Sequence, residues 1–236
     1  MFKNSKKELV KWAAEALAIA LGVFLGITAE SIWQERNDRR EEIQHLIALS
    51  DDFLHSLKLL DAEEEIQNDQ VQYLQLLLHG KAETAEPRQV REWIRVGLYY
   101  TRTYEPQLSA LRDLESSGKM QLIQNANLRR ALATLNQHIH SLENIQSEFI
   151  VVQQDLVDPY LISHIDLVST LDIGELSTAD SNSPLEFDRS LFSSMDLRNR
   201  IAFKLSVRRA VLENQVEVRA QFEHLLELIQ EQLGSD

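Results

Sequence analysis

The chain has no cysteine among its 236 residues. Disulfide staples, thiolate metal ligands and thiol nucleophiles are therefore excluded, and no redox compartment is marked. Glycine and proline are scarce, with 7 and 4 copies, so helix breakers stand out where they occur. Glycine-rich phosphate loops and a nucleophile elbow are missing. Positive charge is also in deficit. The formal net charge is −13, and because residues 1–42 are balanced, the whole excess falls on residues 43–236. Such a domain lacks the basic surface that nucleic-acid binding by counterion release needs. Anionic lipid headgroups repel it. The bland consequence of its charge is solubility. The functional one is a cationic partner or divalent cations.

Long apolar runs are lacking too, with one exception. Trp12 to Trp33 reads WAAEALAIALGVFLGITAESIW, with lysines before it and charges behind it. This spacing predicts a transmembrane helix with Trp12 and Trp33 as interface anchors in the lipid bilayer. At 1.5 Å per residue its 22 residues cover roughly 33 Å, enough for a hydrocarbon core of about 30 Å. Glu15 and Glu30 interrupt it near opposite ends, and each must sit near a boundary. A charge at mid-bilayer costs about 2.5–3.5 kcal/mol. An interfacial or buried soluble helix is the alternative. As a signal peptide the run is poor: Ile27 is large at the −3 position before Ala29, and Glu15 spoils the apolar centre. An uncleaved anchor is expected. Lys3, Lys6, Lys7 and Lys11 outnumber Arg36, Arg39 and Arg40, so the N-terminus is expected inside and the acidic domain outside the cytoplasm. Ala14, Ala18, Gly22 and Gly26 recur every four residues. Small residues at that spacing allow close backbone approach between membrane helices.

Beyond the anchor the pattern is helical. Ile43, Leu46, Phe53, Leu57, Leu60, Val71, Leu74 and Leu78 form a coiled-coil seam in steps of three and four, interrupted by Ser50, Glu64 and Gln67. No stop falls between Trp33 and His79, so one helix is predicted to continue from the membrane. Lys81–Pro87 reads as a polar loop, with Pro87 opening a helix that carries Val90, Trp93, Ile94 and Leu98. A short helix, Gln107–Ser116, is predicted to end at Gly118. A long one begins near Asn125 or Asn127, with Leu128, Leu132, Leu135, Ile139, Leu142, Ile145 and Phe149 inward, and continues past Pro159 with a kink. Leu171–Glu186 reads as the least ordered stretch. The last helix, about Met195–Leu233, turns Ile201, Leu205, Val211, Leu212, Val216, Phe222, Leu225 and Ile229 inward. The predicted fold is all-α: an N-terminal transmembrane helix continuing into a long-helix antiparallel bundle with coiled-coil character. Residues 1–34 form the tail and anchor, and residues 35–236 an acidic helical bundle.

Three stretches carry a resemblance. They are the anchor exit Ile32-Trp33-Gln34-Glu35-Arg36-Asn37, the segment Ala110–Arg129, and the end Ile229–Leu233. On these the chain resembles a family of uncharacterised bacterial single-pass membrane proteins. The resemblance implies an N-terminal anchor plus a helical domain, and it supplies no catalytic residues. The exit departs from the family pattern, reading Trp33-Gln34-Glu35 in place of Asn-Trp-Asn-Glu.

No constellation of residues points to catalysis, a cofactor or a metal. His138 and His140 lie about 200° apart on a helix, so they cannot share one ion, although His140 and Glu143 can. Tyr99, Tyr100 and Tyr104 with Trp93 and Arg102 either line a ligand pocket, stack on a partner, or plug the bundle where helices turn. The expected function is non-enzymatic: a scaffold or accessory subunit of the bacterial inner membrane that forms homo-oligomers or joins other membrane-protein subunits. The alternative is an extracytoplasmic sensory or ligand-binding domain that signals through a partner.

Overall fold

A computed structural model describes the backbone of residues 3–170 and 188–234; the side chains at 3–11, 13–16, 18 and 169 lie outside the described residues. The predicted loose stretch Leu171–Glu186 also lies outside them. Among the described residues every regular element is helical. Helix α1 runs Lys3–Leu78, unbroken as its lack of breakers predicts. It stops where Gly80 takes φ 71°, a left-handed geometry that glycine adopts without strain. A 3₁₀ turn, Lys81–Glu83, precedes α2, Pro87–Glu92. Pro87 opens α2, and Glu86 and Gln89 close a reciprocal capping box. Helix α2 then widens into a π turn, Trp93–Tyr99.

Helix α3 is Ser109–Ser116, two residues shorter than its sequence suggests. Gly118 follows it at φ 71°. Asn125 caps α4, Ala126–Val151, its side chain accepting from the N–H groups of Asn127 and Leu128. A second π turn, Val152–Val157, carries α4 into α5, Asp158–His164. The expected continuation past Pro159 is thus present, with Pro159 in the first turn of α5, where its missing N–H costs nothing. Short α6 is Leu167–Thr170, a 3₁₀ turn spans Arg189–Ser193, and α7 is Met195–Gly234.

The chain divides into two compact units, Met1–Leu49 with Ala110–Gln124, and Ser50–Ser109 with Asn125–Asp236. In the first, Leu46, Leu49, Leu111, Leu114 and Ile123 are buried. Glu42 is fully buried there, accepting from Arg39 at 2.6 Å and from the backbone N–H of Gln124 at 2.7 Å. Lys119 pairs with Glu41 at 2.6 Å and holds that carboxyl below its ordinary range.

In the second unit, α4 and α7 run antiparallel. Asn125 meets Gln232, His138 meets Glu217 and Ser141 meets Asn214, so position falls on one helix as it rises on the other. The part of α1 in this unit is antiparallel to α7 as well: Phe53 packs on Phe222 with ring centroids 5.2 Å apart, and Asp61 pairs with Arg219. The seam therefore turns inward. Phe53, Leu60 and Leu74 are buried, while Leu57, Val71 and Leu78 are half-buried, as is Ile43 in the first unit. Intrachain packing covers part of the apolar surface that the heptad pattern offers to a second copy. The α4 stripe lies inward as its spacing predicts, with Ile145 half-buried. On α7, Val216 is a correction: it is 66% exposed, and Gln215 and Val218 take the inward positions. The 3.6-residue repeat places the buried arc one residue before it and two after it.

Candidate functional site

Between the first π turn and α3, residues 100–108 run without turn or bend. A helix bundle has no neighbouring strand to satisfy such a strap, so helix side chains do it. The Gln146 amide of α4 closes both polar groups of Tyr104: its Oε1 accepts from the N–H at 2.7 Å, and its Nε2 donates to the carbonyl at 3.1 Å. Ser56 of α1 does the same for Gln107, its Oγ accepting from the N–H at 2.9 Å and donating to the carbonyl at 3.0 Å. Asp52 accepts from the Gln107 side chain and from Ser109 Oγ. The Tyr104 hydroxyl donates to the Ser56 carbonyl, and burial raises the phenol's pKa. These clamps hold Gln107 out of α3, which explains the late start of that helix.

Where the strap leaves the π turn, two cations are fully buried, Lys204 and Arg208 of α7. Lys204 Nζ donates to the carbonyls of Leu98 and Tyr100 and to Gln153 Oε1, at 2.5, 3.3 and 2.7 Å. An ammonium has three donors, and all three are met. Gln153 lies in the second π turn and passes the interaction on, donating to Asp158 at 2.5 Å. Gln70 of α1 donates to the carbonyls of Val96, Gly97 and Tyr100. Both π turns are thus fastened to one polar centre. Gly97 permits the close approach, since a Cβ there meets Tyr73 Cβ at 3.3 Å. Burial depresses the Lys204 pKa well below an ordinary lysine, with Arg208 adding to the effect and Asp158 opposing it.

Arg208 lies over the Phe149 ring, 3.8 Å from its centroid, and reaches the Arg102 carbonyl at 3.5 Å. Its Nε and Nη1 meet no side-chain or backbone acceptor. Burial lowers its pKa to about 10, against the pull of Tyr100 and Glu63. It stays charged at neutral pH. Arg208 thus serves the centre as a fixed cationic brace.

The outer side of the strap forms one wall of a groove of about 590 Å³, lined by Leu59, Ala62, Glu63 and Thr101–Glu105. Glu63 accepts from the Tyr100 hydroxyl at 2.8 Å and pairs with Arg102 at 3.1 Å. No family model, curated protein or solved structure matches the chain. Its functional reading therefore rests on this geometry and on the sequence.

The predicted aromatic cluster divides. Tyr104 and Trp93 are buried, Tyr100 is half-buried over Glu63, and Tyr99 is exposed. His140 and Glu143 stand 3.8 Å apart on the surface, and among the described residues no cluster of three potential metal ligands forms. In the predicted anchor, Trp12 and Trp33 are exposed, at 71% and 69%. Gly22 and Gly26 have open space where a Cβ would stand. The side chains of Ala14 and Ala18 lie outside the described residues. Among the described residues no helix is long and apolar enough to cross a membrane, and the Trp12–Trp33 run lies only partly among them.

Lys204 and Arg208 are not apparent as site residues from composition. One signal does mark them. They fall on the three-and-four spacing of Ile201, Leu205 and Val211, so two cations interrupt an apolar face at i and i+4.

Proposed function

We propose that the chain is a membrane-anchored helical scaffold or accessory subunit, held in a bacterial inner membrane by Trp12–Trp33, with its acidic bundle outside the cytoplasm. One observation carries the reading. Leu21, Val23, Phe24, Leu25 and Ile27 are each more than half exposed, and the consecutive trio 23–25 faces three directions at 100° steps. An amphipathic helix buries one stripe. A helix apolar on all sides and covered by nothing among the described residues suits a lipid environment. The resemblance to single-pass membrane proteins supports the same reading. Small residues at Gly22 and Gly26 offer close approach to another helix, from a second copy or from another subunit. The inward-turned seam favours that contact over a coiled coil between bundles.

Carbonate washing of membranes is the test. The protein should stay in the pellet, and removal of residues 1–34 should release the bundle. Release of the full chain by carbonate overturns the reading. A phosphatase fused to the C-terminus should be active outside the cytoplasm; activity only in permeabilised cells gives the opposite topology.

A further inference from the structure

Beyond the anchor, the strap has a property that the helices around it lack. Its carbonyls from Tyr100 to Glu105 are satisfied with a period of two, and of the N–H groups of residues 101–105 that of Tyr104 is met. The carbonyls of Tyr100 and Arg102 accept from Lys204 and Arg208, and both groups of Tyr104 are closed by Gln146. Thr101, Thr103 and Glu105, the alternate residues, have no partner among the described residues for either N–H or C=O, and all three line the groove. In extended backbone, successive residues direct these groups to opposite sides, about 3.3 Å apart along the chain. The inner side is clamped through three carbonyls and one N–H, and the outer side is a free edge. Gln107, next in that series, is closed by Ser56, and Pro106 has no N–H, so the edge is bounded.

We propose that this edge, Thr101–Glu105, binds an extended basic peptide segment of a partner protein by strand addition. Donor and acceptor pairs repeating every second residue are matched in register only by another extended backbone. The groove between strap and α1 gives alternate side chains of the guest Leu59 and Ala62 to pack against. Charge selects the guest. Glu63 and Glu105 flank the edge, Arg102 answers one of them, and nearby Asp61 and Glu64 share the single Arg219. The surplus is acidic, as is the whole of residues 43–236. It attracts lysine or arginine and disfavours strap-to-strap pairing of two copies. The brace explains why the edge stays open. Lys204, Arg208 and Gln146 fix the inner side, so the strap cannot collapse into helix or rotate to hide its outer groups.

Full-length protein in detergent, screened against a display library of random dodecapeptides, tests the proposal. Enriched peptides should carry lysine or arginine at alternate positions. In fluorescence anisotropy, a synthetic copy with alternate backbone amides N-methylated should bind at least about tenfold more weakly. Glu105→Lys should weaken binding of the unmodified peptide similarly. Thr103→Pro, which removes a donor, should abolish enrichment, whereas Thr103→Val should keep it. If the proline variant loses its helical spectrum, the peptide methylation and Glu105→Lys decide alone. No enrichment on the native chain overturns the proposal, as does equal binding of the methylated peptide. Because the chain lacks cysteine, Thr103→Cys also tests the rival occupant: efficient crosslinking between copies would assign the edge to self-pairing and overturn the proposal.

Discussion

Replacing Gln146 probes the strap at its most heavily used clamp. The side chain is buried and makes both bonds to Tyr104. Gln146→Leu keeps the volume but strands one N–H and one C=O in the interior. Each buried group left unpaired costs about 1–3 kcal/mol. The extra apolar surface of leucine returns about 1 kcal/mol. A net loss of about 1–5 kcal/mol is expected, a large share of the roughly 5–15 kcal/mol typical of a folded domain. Urea unfolding of the detergent-solubilised chain, followed by far-ultraviolet circular dichroism, should show a midpoint lowered by about 1–2 M. Gln146→Glu refines the test. A protonated carboxyl still accepts and donates, whereas a carboxylate faces the Tyr104 carbonyl with no proton to offer. Burial and that carbonyl raise the folded pKa above the unfolded value of about 4.3. The variant should therefore be near wild-type stability below pH 4 and lose stability as pH rises through its folded pKa. A leucine variant within about 0.5 kcal/mol of wild type would refute the clamp, as would a glutamate variant that gains stability with rising pH.

Lys204 gives a second pH signature with the opposite slope. Its folded pKa lies below the ordinary 10.5, so the unfolded chain binds more protons, and its contribution to stability rises with pH toward 10. Above pH 10 the raised phenols of Tyr100 and Tyr104 act in reverse, because the folded chain then holds more protons. Lys204→Met should remove the rising limb when chemical denaturation is repeated across pH 7–10; an unchanged limb would show that the lysine is not its source. Gly97→Ala should destabilise by about 1–3 kcal/mol in the same assay, since its Cβ presses on Tyr73 and the α1 backbone. Phe222→Ala should cost about 3–5 kcal/mol by emptying the ring contact with Phe53. Gly22→Ile with Gly26→Ile should leave bundle stability unchanged, since among the described residues nothing lies within 4 Å of a Cβ at either position. In native membranes the same pair should reduce crosslinked assemblies, and undiminished crosslinking would remove the small-residue contact.

Local chemistry is legible in the sequence. Pro87 opens a helix, Asn125 caps one and Gly118 closes one, because each acts on backbone groups within about four residues of itself. The α4 stripe is legible for a related reason: the helical repeat alone sets which side chains share a face. Val216 shows the limit, since the apolar pattern cannot say where on the circumference the neighbours stand. Tertiary packing decided the rest. The π turns exist where Gln70 and Lys204 collect carbonyls from residues 26 to 106 positions away, and where Gln153 accepts from Lys204. No local propensity reports a partner at that distance. Lys204 and Arg208 interrupt an apolar face along the chain and become the brace only when α7 lies against the strap. The seam from Ile43 to Leu78 points to self-association, and what it packs against within the chain is hidden for the same reason. A heptad specifies an apolar face, and only the return of α7 along α1 determines what covers it.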